Sequence, residues 1–288
     1  MISEKVKKDI LKMQIGELTE YHIYTAIAKG MKNDKNAEII ARIGKEELAH
    51  AKIWRGYTNI EAKPKMGKVV WYALLSRIFG FTFAIKLMEN GEGDANIAYN
   101  EIAKEVPEAA RIAKDEEAHE NTLIALLDEE RLQYVGSMVL GLNDALVELT
   151  GTLAGLSFAL QNTKLIALSG LITGISATLS MMSSEYLSAR SDGAEHPFKQ
   201  ASYTGIMYVL AVVLMTLPYL LLDDYRIALA ILIATVITII FLFTYYVSVA
   251  KDLPFKRRFL EMVSISMGVA MVSFIIGIIV KEVLGITV

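Results

Sequence analysis

The 288-residue chain contains no cysteine. That excludes disulfides, thiolate metal sites, iron–sulfur clusters and cysteine-bound mononuclear iron, and leaves Glu, Asp, His and Met as the available metal ligands. Histidine is scarce too, with four residues in all. A net charge of −3 and a pI near 5.9 lack the basic excess of a nucleic-acid surface, so no nucleic-acid partner is expected. The amino end, MISEKVKKDILKM, lacks the long apolar core and small-residue cleavage site of a signal peptide. Charge itself runs short in the second half. Lys, Arg, Asp and Glu come every few residues up to about residue 133 and afterwards retreat to short clusters. The shift divides the chain into expected domains at 1–133 and 134–288.

What replaces charge is hydrocarbon. At 53% hydrophobic residues and a mean hydropathy of +0.40, the chain is too apolar for an ordinary soluble protein. Apolar runs long enough to cross a bilayer recur from Tyr134 onward, and five spans are predicted at about 136–160, 165–189, 201–222, 226–249 and 259–281. The polar breaks between them are QNTK, SDGAEHPFK, DDYR and KDLPFKRR. Arg190, Lys199, Lys251, Lys256, Arg257 and Arg258 fall in or beside the second and fourth breaks, against Lys164 and Arg226 in the other two. The positive-inside bias therefore places the first half in the cytoplasm and the carboxyl terminus outside.

Ionisable residues inside spans are costly, roughly 2.5–3.5 kcal/mol for an acid at the centre, and are candidates for function. The first span holds GLNDALVELTG, in which Asp144 and Glu148 share a helical face, with the Asn143 amide beside them. The second holds LSMMSSEYLSA, in which Met181 and Glu185 are likewise four apart. Oxygen ligands with a soft thioether suit a divalent first-row metal better than Mg²⁺ or Ca²⁺. Packing of Met181 and snorkelling of Glu185 to the interface is the plainer reading of that pair.

Three stretches, GLNDALVELTGTLAG, LSMMSSEYLS and HPFKQA, give Tyr134 to Val288 a resemblance to the vacuolar iron transporter family. The resemblance implies a five-span homodimer with a pore between subunits that moves Fe²⁺, often Mn²⁺ as well, out of the cytosol in exchange for protons. It places Asp144, Met181 and Glu185 at pore-ligand positions. Ala145 and Ser184 stand where the family has Gly, and both are small enough to keep helices close. Eukaryotic members insert a carboxylate-rich helical segment after the second span. Here that loop is short, so metal collection must be absent or supplied from elsewhere.

The first half reads as helices throughout, at about 3–30, 34–58, 67–104 and 107–133, with breaks at Gly30, Pro64 and Pro107. The expected fold class is therefore all-α, a cytosolic four-helix bundle followed by a five-helix transmembrane domain. KEELAH and KDEEAH each carry a His with a Glu three residues earlier: Glu47 with His50, and Glu116 with His119. Glu-x-x-His sets both side chains on one helical face. Two such helices, with a glutamate from each of two others, form a di-iron carboxylate site in a four-helix bundle. The other glutamates come from the pairs Glu17 and Glu20 and Glu89 and Glu92. Glu17 and Glu92 are favoured because each stands seven before a tyrosine, Tyr24 and Tyr99, while Glu20 and Glu89 remain candidates for bridging ligands. Glu46, four before His50, is a candidate for a supporting role; Glu117, two before His119, is expected in solvent. His22 and His196 lack an acid at this spacing and are read as packing or surface residues.

The order Glu17, Glu47-x-x-His50, Glu92, Glu116-x-x-His119, with AHAKIW around the first histidine, resembles the ferritin-like superfamily, and rubrerythrin in particular, over Ile10 to Glu130. The resemblance implies two bound irons and ferroxidase or peroxidase chemistry, although the cysteine-bearing tail that feeds electrons to rubrerythrins is missing. The stretch VVWYALLSRIFGFTFAIKLME is too apolar for an exposed helix; it suits either the membrane interface or a second subunit, with the subunit contact preferred. ENTLIALLDEERLQYVG, between His119 and the first span, has no proline and no glycine before Gly136, so the last bundle helix is expected to run nearly straight into the membrane helix.

The reading that joins the halves is a prokaryotic plasma-membrane exporter of Fe²⁺, or also Mn²⁺, working by proton antiport, whose ferritin-like domain collects or senses iron. Its partners would be metal ions, the lipid bilayer and a second copy in a homodimer, and no residue is assigned as catalytic. The alternative is a membrane-anchored di-iron oxidase or peroxidase whose spans are only an anchor.

Overall fold

The computed structural model describes residues 2–31, 35–89, 99, 101–125 and 134–284. Every regular element among them is an α-helix. The chain divides into two compact units, Met1–Leu132 and Gln133–Val288.

In the first unit, α1 (Glu4–Gly30) starts where the Ser3 hydroxyl accepts the Val6 amide at 3.3 Å, one of the orphan donors of a first turn. Its buried stripe, Ile10, Gln14, Glu17, Tyr24 and Ile27, advances by three, four and seven residues and carries polar groups inward. α2 (Lys35–Thr58) packs along α1 through a similar stripe of Ile40, Ile43, Glu47, His50 and Trp54. At Gly44 the two helices come close: an added Cβ would stand 3.1 Å from the Tyr24 Cβ. α3 (Met66–Phe79) lies against α1, and α4 (Phe81–Glu89) follows it. α5 (Glu108–Ala125) touches α2 and buries Ala109, Ile112, His119 and Leu123. Trp54, Tyr99, Ile102, Val106 and Ile112 close an apolar cluster with Val6 and Ile10.

The expected helix over 67–104 is instead interrupted. Gly80 has φ 96° and ψ 157°, a conformation that costs any residue with a Cβ, and it separates α3 from α4. The straight run into the first span lies outside the described residues.

The second unit holds five helices long and apolar enough to cross a membrane: α6 (Val135–Leu160), α7 (Thr163–Ser191), α8 (Pro197–Leu221), α9 (Tyr225–Lys251) and α10 (Phe255–Leu284). Asn162 caps α7 by accepting the Leu165 amide at 3.1 Å, and Asp224 caps α9 by accepting the Arg226 amide at 2.8 Å. Leu142, Leu146, Leu149 and Leu153 put α6 at the centre, against Ile166 of α7, Tyr208 and Met215 of α8, and Leu232 and Val236 of α9. Small residues set close crossings: a Cβ on Gly277 of α10 would stand 2.5 Å from the Gly155 carbonyl oxygen of α6, and one on Gly141 of α6 would stand closer still to the Thr204 carbonyl oxygen of α8. Outward positions such as Leu168, Ile172, Ile175 and Leu179 are exposed and apolar, as a surface that meets hydrocarbon must be.

Candidate metal centres

In the first unit, α1, α2 and α5 carry acids and imidazoles at positions where an apolar residue would ordinarily complete the stripe. Glu17, Glu47, His50 and His119 are each more than nine-tenths buried. Charges so placed are costly unless they serve one another or a cation. One ligand atom from each of Glu17, Glu47, His50 and Glu116 lies within 4.8 Å of the rest, the only such grouping among the described residues.

The distances show how the group is ordered. His50 Nδ1 stands 3.1 Å from Glu116 Oε1, 3.4 Å from Glu47 Oε2 and 3.6 Å from Glu17 Oε2. His119 Nδ1 stands 2.9 Å from Glu47 Oε1 and 3.8 Å from Glu116 Oε2. Glu47 and Glu116 thus each turn one oxygen toward each histidine, the disposition of carboxylates that bridge two ions. The outer nitrogens are held as well. His50 Nε2 is 3.4 Å from the Asp115 carboxylate, and His119 Nε2 is 2.6 Å from that of Glu46. A ring whose Nε2–H donates outward keeps its Nδ1 lone pair for a cation. Glu17 is oriented by two donors: the Trp54 indole N–H at 3.2 Å and the Tyr99 hydroxyl at 3.0 Å both reach Oε1, which leaves Oε2 facing the cluster.

Three fully buried atoms, Glu17 Oε2, Glu47 Oε2 and His119 Nδ1, have no hydrogen-bond partner among the described residues; the 2.9 Å approach of His119 to Glu47 does not have hydrogen-bond alignment. An unpaired buried polar group costs about 1–3 kcal/mol. Three converging on one space fit a bound cation, and a donor set of carboxylate oxygen and imidazole nitrogen fits a divalent first-row metal. Without an ion, protons hold the site together. Burial pushes Glu17 well above the usual carboxylate range. Burial acts the same way on Glu47 but is outweighed by the imidazoles of His119 and His50 close beside it, which hold it down at about 2. Burial disfavours the charged imidazoles, yet the carboxylates of Glu116, Glu17 and Glu47 packed around it push His50 up to about 12, and those of Glu116 and Glu47 push His119 up to about 10. An open cavity of about 360 Å³, lined by Glu46, His50, Arg111, Asp115 and His119, exposes the outer imidazole edges to solvent.

Of the other expected ligands, Glu20 stands outside the group of four, Glu89 accepts the Tyr24 hydroxyl at 2.7 Å, and Glu92 lies outside the described residues. Glu117 is exposed.

In the second unit, Tyr208 of α8 donates its hydroxyl to Glu148 Oε2 at 2.7 Å, and Glu148 itself is exposed on α6. Asp144, one turn earlier on α6, is half-buried. Glu185 of α7 accepts the Ser137 hydroxyl at 2.6 Å, near the start of α6. Met181 packs, half-buried, against the apolar core. Asn143 lines a cavity of about 360 Å³ together with Lys251, Arg258 and Glu261, and neither Asp144 nor Glu148 lines it. Asp144 and Glu148 thus share Tyr208, whereas Glu185, Met181 and Asn143 each have other neighbours.

Residues 135–196 match the VIT family. The VIT match covers α6 and α7 and contains Asn143, Asp144, Glu148, Met181 and Glu185. Curated proteins and solved structures gave no match. With five membrane-capable helices, of which the VIT match includes the first two, the chain is an integral membrane protein.

Several contributors escape the sequence reading. Asp115 is the clearest: KEELAH and KDEEAH align as Lys-acid-Glu-x-Ala-His, which makes Asp115 the counterpart of Glu46 and gives each histidine an acid four residues earlier. Each of these acids serves the histidine of the other helix. Tyr99 and Trp54 appear in the sequence patterns, as the tyrosine seven after Glu92 and the tryptophan of AHAKIW, but nothing there marks them as donors to Glu17. Tyr208 lies outside the residues matched to the VIT family and outside the spans that carry acids.

Proposed function

We propose that the protein moves Fe²⁺, with Mn²⁺ as a second cargo, out of the cytosol in exchange for protons, and that its first unit is a ferritin-like four-helix bundle that collects the ion at a two-metal site. The observation that carries this reading is the presence, in one chain, of the converging Glu17, Glu47, His50, Glu116 and His119 cluster and of VIT-matching helices with acids inside them. A carboxylate that gives up a proton to bind a cation, and regains one on its release, couples the two flows without further machinery, because metal and proton compete for the same oxygens. Asp144 and Glu148 would do this within the membrane, with Tyr208 holding Glu148 in place. Met181 and Glu185 would gather the ion at the cytoplasmic entrance. The exposure of Glu148 on a single chain favours a homodimer in which a second copy faces it.

In the bundle, Glu17, Glu47, His50, Glu116 and His119 would hold two irons, which would supply redox chemistry; the chain's own contribution is to orient Glu17 through Trp54 and Tyr99 and to keep both Nδ1 atoms facing inward. The buried phenols of Tyr24 and Tyr99 beside that site favour the second reading, a membrane-anchored oxidase. Proteoliposomes enclosing an iron-sensitive dye separate the two. The transport reading expects Fe²⁺ entry that accelerates under an opposed proton gradient and disappears in Asp144→Ala. An anchor gives no flux in either chain, with oxygen-dependent Fe²⁺ turnover intact.

A further inference from the structure

α3 buries Val69 and Leu75 on the side that faces the first unit. On its other side Val70, Trp71, Leu74 and Ile78 are all exposed, Trp71 at 56%. At about 100° per residue these four form one sector, with Arg77 at one edge and Lys68 at the other, both exposed. From Ala62 to Met88 the chain carries five Lys or Arg and no Asp or Glu, in a half otherwise rich in acids. An apolar sector with tryptophan, bordered by cations, is the make-up of a helix that lies in the headgroup layer of a membrane.

We infer that α3 docks on the bilayer surface, its Val70, Trp71, Leu74 and Ile78 sector seated among the upper acyl chains and Lys68 and Arg77 paired with anionic headgroups. Two observations favour lipid over a second copy of this chain. A twofold contact through α3 would bring the same cations of both copies together, with no acid in the stretch to pair them. The bilayer, by contrast, is always near. The sequence passes from Ala125 to the first span at Val135 in ten residues, a reach of at most about 35 Å, so the local concentration of headgroups is high. The inference needs only that the spans are in a membrane; it does not depend on what they carry.

The chain reports on this itself. It has two tryptophans, Trp54 fully buried and Trp71 exposed, and neither lies in a span. The full-length protein is placed in nanodiscs with or without anionic lipid, with bromine on the upper acyl carbons as quencher, and the Trp71 signal is taken as the difference from Trp71→Phe. The expected result is blue-shifted Trp71 emission quenched at least about twofold in anionic discs, with the quenching reduced by high salt. It is also expected to fall in Lys68→Glu/Arg77→Glu. Solvent-like, unquenched Trp71 emission in anionic discs overturns the proposal. So does efficient inter-subunit crosslinking of Val70→Cys, which would be the sole cysteine, combined with Trp71 emission that bromolipid does not quench; that outcome assigns the face to a second copy. Because the main readout uses the unaltered chain, a misfolded variant cannot decide it, and because no transport is measured, failure here leaves the transport reading standing.

Discussion

Glu47 turns Oε2 toward His50 at 3.4 Å and Oε1 toward His119 at 2.9 Å, so one substitution withdraws a ligand from two positions. Glu47→Ala is expected to abolish Mn²⁺ or Fe²⁺ binding in the first unit. Trp54→Phe, which removes a donor to Glu17 along with part of a buried ring, should weaken binding about tenfold; titration of the purified chain with Mn²⁺, read by electron paramagnetic resonance, checks both. The protons held by the metal-free site set its pH response. His50 and His119 sit at about 12 and about 10, above the usual 6.5, so their contribution to stability is complete below about pH 6.5 and is lost as pH rises through 10 and then 12. Glu47, at about 2, contributes fully above its usual 4.5 and loses that contribution as pH falls toward 2. Metal must displace the imidazole protons. Binding should therefore acidify a weak buffer, and apparent affinity should rise with pH around neutrality. At this scale the sequence was informative wherever partners share a helix: three residues separate Glu47 from His50 and Glu116 from His119, and that spacing fixes a common face. It named Glu46 but not Asp115, and it could not tell that each of these acids belongs to the other helix's histidine, because only packing brings those partners together.

Helices as units were legible to the extent that length and apolarity decide them. The five spans follow the apolar runs to within a few residues because polar caps such as Asn162 and Asp224 lie in the breaks themselves. The expected helix over 67–104 failed at Gly80, a residue that reads in sequence as a tolerated interruption. Its φ of 96° makes it a break, and Gly80→Ala is expected to destabilise the first unit by about 1–3 kcal/mol, seen as a lowered midpoint for the change in Trp54 fluorescence. Between helices, Tyr208 of α8 supplies the one hydroxyl seen on Glu148 of α6 among the described residues. A hydrogen bond to a charged group is worth about 1.5–3 kcal/mol, so Tyr208→Phe should weaken cargo affinity about tenfold or more, measured as the concentration for half-maximal flux.

For the molecule as a whole, two compact units with different solvents share one chain, and the question is whether they share one task. The first gathers carboxylates and imidazoles into a site suited to a divalent cation; the second matches the VIT family and keeps Asp144 and Glu148 inside a span. If the first collects what the second moves, damage to each should fail differently. The most direct test is Fe²⁺ flux into proteoliposomes at low and at saturating Fe²⁺, under an opposed proton gradient, for the unaltered chain, Asp144→Ala and Glu47→Ala/His50→Ala. The account expects no flux in Asp144→Ala at any concentration, and in Glu47→Ala/His50→Ala a flux that is lost at low Fe²⁺ and restored at saturation. Flux unchanged in Asp144→Ala, or no flux in the unaltered chain, would contradict it.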